Sequence, residues 1–341
     1  MRRQIARSIF SLGIMILLAS PCFAQQFHYE AIDVPCSAAP PTSCPNGIAR
    51  QTVASGINPA GDIVGAFADG VGRQHGFLLS GGSFTTIDVP GAVATSANGI
   101  GPGGDIVGNY VAPYTPGVSD VAPANSPVYC PAAGSAACIK GFLYSHGKFS
   151  TVLFPGHPGA VPQRITPDGD IYGCLHDFDT GLSMFGAAWT RLGNASLTAN
   201  GGELTDGSMS MPMSMNNGAT PDGHMIVGFW VDMNGHRHGF AVVDGTFHSY
   251  DAAPASQATA IWDVNPEHQC VGFYVDSSGH RHGFLQNPDG SGALQLDFQD
   301  AAGNVASATV AFGINPGGVI VGQYSMSGHV HGFVAVPTAS N

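Results

Sequence analysis

The chain has 341 residues, with 11 basic against 23 acidic side chains, a formal net charge of −12 and 48 glycines. An acidic balance of this size disfavours nucleic acid and anionic lipid as partners. Few Lys and Glu with many Gly and Pro suit short strands joined by tight turns, not helices.

The chain opens with Met1-Arg2-Arg3-Gln4-Ile5-Ala6-Arg7, followed by an apolar run over residues 9–19. The run is too short to span a bilayer and has basic residues in front, so residues 1–24 read as a secretory signal. Ala24 suits the cleavage site, and Pro21 before Cys22 argues against a lipoprotein signal. Removing three of the 11 basic residues leaves 8 against 23 acids, or −15. Residues 25–341 are expected to form a single secreted or periplasmic domain with no membrane insertion.

Six cysteines remain after Cys22 is removed with the leader. Cys36 and Cys44 lie eight apart in a Pro/Ser/Ala loop, as do Cys130 and Cys138. In an exported protein this spacing predicts two local disulfides. Cys174 and Cys270 fall within strands of different repeats and are expected to be buried free thiols.

One unit is written six times. Gly56-Ile57-Asn58-Pro59-Ala60-Gly61-Asp62-Ile63-Val64-Gly65 is followed by His75-Gly76-Phe77 and Phe84-Thr85-Thr86-Ile87-Asp88. The turn prolines are Pro59, Pro102, Pro167, Pro221, Pro266 and Pro316, at steps of 43, 65, 54, 45 and 50. This period falls in the range of four-stranded propeller blades. Asn-Pro-x-Gly places proline second and glycine fourth, which favours a type I turn. Asp69-Gly70-Val71-Gly72, Asp232-Met233-Asn234-Gly235 and Asp276-Ser277-Ser278-Gly279 look like hairpin turns closed by a left-handed glycine. Each unit thus reads as four antiparallel strands: A before the proline, B after it, C at His-Gly-Phe and D at Phe-Thr-Thr-Ile-Asp. The third copy is degenerate, with Phe185-Gly186-Ala187 in place of His-Gly-Phe.

The last copy stops after its C strand, and residues 27–35 match the pattern of the missing D strand. A ring pairs the two ends and removes open edges. The expectation is an all-β fold: a six-bladed β-propeller of four-stranded antiparallel blades, closed by the N-terminal strand. An open β-solenoid, or a different blade count, is the alternative.

Gly-Ile-Asn-Pro-x-Gly-x-Ile-Val-Gly followed by His-Gly-Phe resembles the bacterial extracellular repeats of the HAF family, over residues 47–337. This chain mostly has Gly where the family name implies Ala. The resemblance implies export and a repeat fold, and carries no general assigned activity.

In such blades the B–C and D–A connections share one face. The three long departures from the repeat, at 35–49, 112–138 and 200–213, all fall there. Loops that grow on one face of a rigid scaffold are where function usually sits. Strand A is innermost, so the residues before each turn proline border the axis. Glycine is the rule three residues before the proline, and Arg164 and Asp263 break it. One residue earlier stand Ser55, Asn98, Gln163, Asn217, Trp262 and Phe312. Arg164, Asp263, Trp262, Asn98, Gln163 and Asn217 form the candidate ligand site, suited to a sugar or polar ligand or else to a structural Arg–Asp pair.

The pairs His236/His238, His280/His282 and His329/His331 each lie two apart on one side of a strand. Such pairs can chelate divalent metals. The simpler role is structural, with the inner histidine bonded to backbone between blades. Met209, Met211, Met213 and Met215 alternate and suit Cu(I), or else form an apolar face or linker. No cofactor is expected beyond such a divalent metal or copper. His176, near Asp177 and Asp179, is the acid/base candidate to set beside Arg164 and Asp263. No nucleophile elbow, His-Glu-x-x-His or phosphate loop occurs.

Three functions follow as expectations. The first is an exported, monomeric, non-enzymatic propeller binding a small molecule, glycan or protein through the long-loop face. The second is a hydrolase or lyase acting on an extracellular glycan or ester. The third is a periplasmic metal-binding protein.

Overall fold

The computed structural model describes residues 26–35, 47–114, 116, 130, 132, 135, 138–153, 157, 159–176, 184–190, 193–197, 213–253, 256–287 and 293–338. Strand β1 (Gln26–Ile32) comes first. The first unit is β2 (Gln51–Ile57), β3 (Ile63–Ala68), β4 (Gln74–Ser80) and β5 (Ser83–Ile87). The second is β6 (Ala94–Ile100), β7 (Ile106–Val111), β8 (Ile139–Ser145) and β9 (Lys148–Val152). The third is β10 (Gly159–Ile165), β11 (Ile171–His176), β12 (Met184–Thr190) and β13 (Gly193–Leu197). The fourth is β14 (Met213–Ala219), β15 (Met225–Val231), β16 (Arg237–Val243) and β17 (Thr246–Tyr250). The fifth is β18 (Ala258–Val264), β19 (Cys270–Val275), β20 (Arg281–Gln286) and β21 (Leu294–Leu296). The sixth has β22 (Ala308–Ile314), β23 (Ile320–Met326) and β24 (His329–Thr338). Neighbours within each unit pair antiparallel, as in β2–β3–β4–β5. β1 pairs antiparallel with β24, Gln26 opposite Thr338 and Ile32 opposite Gly332. No helix among the described residues is long and apolar enough to cross a membrane.

Turn chemistry sets the unit boundaries. In the first copy the Gly61 N–H donates to the Asn58 carbonyl at 3.0 Å, and Asp62 N–H donates to Asn58 Oδ1 at 2.9 Å. Gly61 sits at φ +87°, where a side chain would be strained. The hairpin glycines Gly72, Gly235 and Gly279 are left-handed as expected. Asp69, Asp232 and Asp276 each accept two backbone N–H bonds through Oδ1, which nucleates these turns.

Two motifs of the repeat belong to one packing unit. A Cβ on Gly65 would stand 1.9 Å from the Val53 carbonyl oxygen and 2.7 Å from the Phe77 ring. Ile-Val-Gly therefore requires its glycine because the Phe of His-Gly-Phe lies over it. Phe77, Phe142, Phe240, Phe284 and Phe333, the same position in five units, are all buried. Burying each such ring stabilises the fold by roughly 1.5–3 kcal/mol.

The first strands of successive units touch in order: β2 with β6, β6 with β10, β10 with β14, β14 with β18, β18 with β22, and β22 with β2. The units are thus arrayed radially, each with its A strand innermost. Cys130 and Cys138 form a disulfide within the insertion, while Cys36 and Cys44 lie outside the described residues. Cys174 and Cys270 are buried free thiols, and burial pushes both thiols up.

Candidate functional site

Each innermost strand carries a β-bulge at one recurring position. The pairing register shifts between Ala54 and Gly56, Ala97 and Gly99, Pro162 and Arg164, Asn216 and Gly218, Ile261 and Asp263, and Ala311 and Gly313. The extra residues are Ser55, Asn98, Gln163, Asn217, Trp262 and Phe312, the ring that the sequence places next to the glycine series. A bulge re-aims the groups on either side of it. Here it brings backbone carbonyls toward the axis.

One side chain takes them up. Arg164 Nη1 donates to the carbonyls of Asn98 and Gln163, both at 2.8 Å. Its Nη2 donates to the Ser55 carbonyl at 3.1 Å and to that of Phe312. Nε lies 3.1 Å from Asp263 Oδ1, and both side chains are about nine-tenths buried. Asp263 Oδ2 in turn accepts the Ile314 N–H at 3.1 Å. Burial pushes the Asp263 carboxyl up, against the pull of the Arg164 charge and the Ile314 N–H. A single guanidinium thus joins strands from the first, second, third, fifth and sixth units. The fourth closes against Asp263, since a Cβ on Gly218 would meet the Asp263 Cα at 2.8 Å. The remaining glycines make room: a Cβ on Gly99 would stand 2.3 Å from the Gln163 carbonyl oxygen.

The other predicted ligand residues converge on the same axis. Asn98 Nδ2 donates to the Pro162 carbonyl at 2.8 Å and to Asn109 Oδ1 at 3.0 Å. Asn217 Nδ2 donates to the Ile261 carbonyl at 2.8 Å. Gln163 is buried. Trp262 meets Phe312 edge-on with centroids 4.9 Å apart. Asn217 Oδ1 and Trp262 Nε1 are buried without a hydrogen-bond partner among the described residues. Toward the turn face, Arg164 and Asp263 floor a cavity of about 90 Å³ rimmed by all six turn prolines. His176 closes β11, but its side chain, with Asp177 and Asp179, lies outside the described residues.

The inner histidines have carboxylate partners, not the expected backbone ones. His75 Nδ1 lies 2.7 Å from Asp88, and His238, His282 and His331 stand 3.0, 3.0 and 2.9 Å from Asp251, Asp297 and Asp33. On the other edge, Nε2 of His75, His238 and His282 faces the turn aspartates Asp69, Asp232 and Asp276 at 3.4, 3.8 and 3.3 Å. Each ring also packs on the aromatic residue opposite it in strand B: Phe67, Trp230, Tyr274 or Tyr324. The signal was present in the sequence. Every repeat with an inner histidine has Asp just after its D strand, whereas the second repeat has Lys140 with Leu153. Burial lowers the Lys140 amine to about 8.

The outer histidines His236, His280 and His329 are exposed. Among the described residues no group of three or more His, Cys, Asp or Glu side chains is arranged to hold a metal ion. Met215 is buried; Met209, Met211 and the Met213 side chain lie outside the described residues.

No protein-family model matches the chain, and no curated protein matches it. Among solved structures it is similar to a protein of unknown function from Dyadobacter fermentans, at 13% identity over 91% of this chain and 99% of that one, with a TM-score of 0.52. Antiparallel units arrayed radially, with their first strands in contact around one axis, make the fold a β-propeller. A gluconolactonase from Xanthomonas campestris (12% identity, 91% and 99% covered, TM-score 0.46) and a putative TolB from Agrobacterium tumefaciens (13%, 85% and 91%, 0.49) are also similar. At such identities the likeness concerns the fold alone.

Proposed function

We propose that the chain is an exported, six-bladed propeller of HAF-type repeats, closed by its N-terminal strand. In this reading it binds a ligand or protein partner through the face that carries the B–C and D–A connections. Pairing of β1 with β24 and the cycle of contacts among the innermost strands support closure. The basic and apolar N-terminal segment and the Cys130–Cys138 disulfide support export.

One observation carries the choice of face. Among the described residues the exposed large apolar side chains are Val71, Val93, Tyr114, Met233, Val305 and Val336. Five of the six lie in B–C or D–A connections, in the first, second, fourth and sixth units; Val336 on β24 is the exception. The A–B face presents tight proline turns instead. The uneven distribution, five exposed large apolar side chains on one face against none in the A–B turns among the described residues, supports that face as the interaction surface. The axial charges favour binding over catalysis, because Arg164 and Asp263 are engaged with each other and with backbone.

The test is a photo-reactive benzoylphenylalanine placed singly at Val71, Val93 or Met233, and at Asp62 or Gly103 on the turn face, in exporting cells. Discrete cross-linked adducts are expected from the first three positions only. Adducts from the turn face, or none from either face, would overturn the assignment.

A further inference from the structure

Two of the six units, the fourth and the fifth, fill the interface with the next unit by a Phe–Arg pair. In the fourth unit Phe229 of β15 packs toward β18, with the Arg237 guanidinium 4.5 Å from its ring centre. In the fifth, Phe273 and Arg281 repeat the arrangement at 4.8 Å. The next innermost strand meets these rings with Ala260 and Trp262, or with Val310 and Phe312, and all six residues join one apolar cluster.

The other four units lack the pair, with Ala66, Asn109, Cys174 and Gln323 at the phenylalanine position, and the first has the smallest side chain there. Alanine (Ala66) stands where the phenylalanine would be, and glutamine (Gln74) where the arginine would be. The facing strand β6 offers Ser96 and Asn98. The groove is therefore unfilled, leaving a cavity of about 190 Å³. That is room for roughly six waters at their liquid volume. Its walls hold three amides, Gln51, Gln74 and Asn98, and two hydroxyls, Ser55 and Ser96, beside the apolar Val53, Ala66 and Ala68. None of the lining side chains is charged.

We infer that this groove between the first two units binds a neutral, polyhydroxylated ligand the size of one sugar ring. The inference deepens the proposed function and rests on it, since the groove lies at the long-loop end of the innermost strands. The chemistry of the walls selects the class. An ionised ligand would be desolvated there without a counter-charge, and a purely apolar one would strand the amides. A sugar ring offers hydroxyls at its edge and C–H groups on its faces, matching amide walls and a Val/Ala floor. Asn98 has both side-chain N–H bonds committed to Asn109 and Pro162, so its Oδ1 is the atom left to accept a ligand hydroxyl. Gln74 Nε2 donates to Ser96 Oγ across the groove, a bond that a ligand hydroxyl replaces on entry. A few fixed polar groups in a preformed cleft are what orient a small ligand.

The test titrates the full mature chain by calorimetry with a panel of neutral monosaccharides, with a uronic acid and an amino sugar as charged counterparts. An immobilised neutral polysaccharide forms a second arm, distinguishing a free sugar from a glycan terminus. The decisive variant is Ala66→Phe with Gln74→Arg, which writes the chain's own filler into the first groove. At least one neutral sugar is expected to saturate at one per chain. The double variant should weaken it at least tenfold, about 1.4 kcal/mol, with the melting temperature unchanged or raised. Should the double variant not fold, Gln51→Leu at an exposed position provides the same comparison. Three results overturn the site: no saturable neutral sugar up to about 50 mM, equal binding by the variants, or charged sugars binding as well. Cross-linking from Val71 and Met233 is scored in parallel. Adducts without sugar binding remove only the sugar site, whereas loss of adducts removes the face.

Discussion

Replacing Arg164 by methionine keeps much of its volume and removes its charge and its donors. Asp263, buried, would lose the ion pair at 3.1 Å and keep only the backbone N–H groups of Ile314 and Val264. The carbonyls of Ser55, Asn98, Gln163 and Phe312 would lose their shared donor. Breaking a buried pair from one side typically costs about 3–5 kcal/mol, because a lone charge remains in the interior. Water entering from the turn-face cavity can relieve some of the carbonyls, so the lower half of that range is the better expectation. A loss of about 3 kcal/mol corresponds to a fall of roughly 6–12 °C in melting temperature. Urea unfolding followed by tryptophan fluorescence measures it, and Trp262 beside the axis reports locally. The cycle is run with Arg164→Gly, Asp263→Gly and Arg164→Gly/Asp263→Gly, glycine being the residue the other four units use. Removing both charges should cost less than removing Arg164 alone. If Arg164→Met unfolds within about 1 kcal/mol of the parent, or the double variant costs the sum of the singles, the axial guanidinium is not what holds the innermost strands together.

Gly99→Ala places a methyl 2.3 Å from the Gln163 carbonyl oxygen and should destabilise by about 1–3 kcal/mol or more. Gly103→Ala meets nothing within 4 Å and should stay within about 0.5 kcal/mol; urea midpoints compare the two. The His282 clamp predicts a pH dependence. Burial opposes its charged form, but hydrogen bonds and charge from Asp297 and Asp276 outweigh it and raise the imidazole above 6.5. A raised imidazole makes its full contribution below 6.5 and loses it as pH rises through the folded-state value. The stability difference between the parent and Asp297→Asn should therefore shrink on going from pH 6 to 9, and a constant difference would show that the ring does not change charge there.

How much of this was legible depends on whether a feature repeats. Strand order, the turn prolines and the left-handed hairpin glycines recur, so period and turn chemistry reach them without a structure. The axial position of Arg164 and Asp263 was legible for the opposite reason, as an exception to a glycine series. Their partners were not, because the acceptors are backbone carbonyls, turned inward by bulges that no residue type announces. The carboxylates behind the inner histidines lay in plain view at Asp33, Asp88, Asp251 and Asp297. They were hidden by separations of 13 to 15 residues within a unit and of 298 across the join between the chain's two ends. The last of these matters most for the architecture. His331 on β24 meets Asp33, immediately beyond β1, with the same side-chain pair that ties C to D inside the first, fourth and fifth units. The N-terminal strand therefore carries the repeat's own clamp as well as its hydrogen-bond register, and supplies what the sixth unit lacks. An added edge strand needs only main-chain pairing. A strand that brings the matching carboxylate to the matching histidine occupies the place of a fourth strand in that unit, which supports the proposed closure with chemistry already written in the other copies.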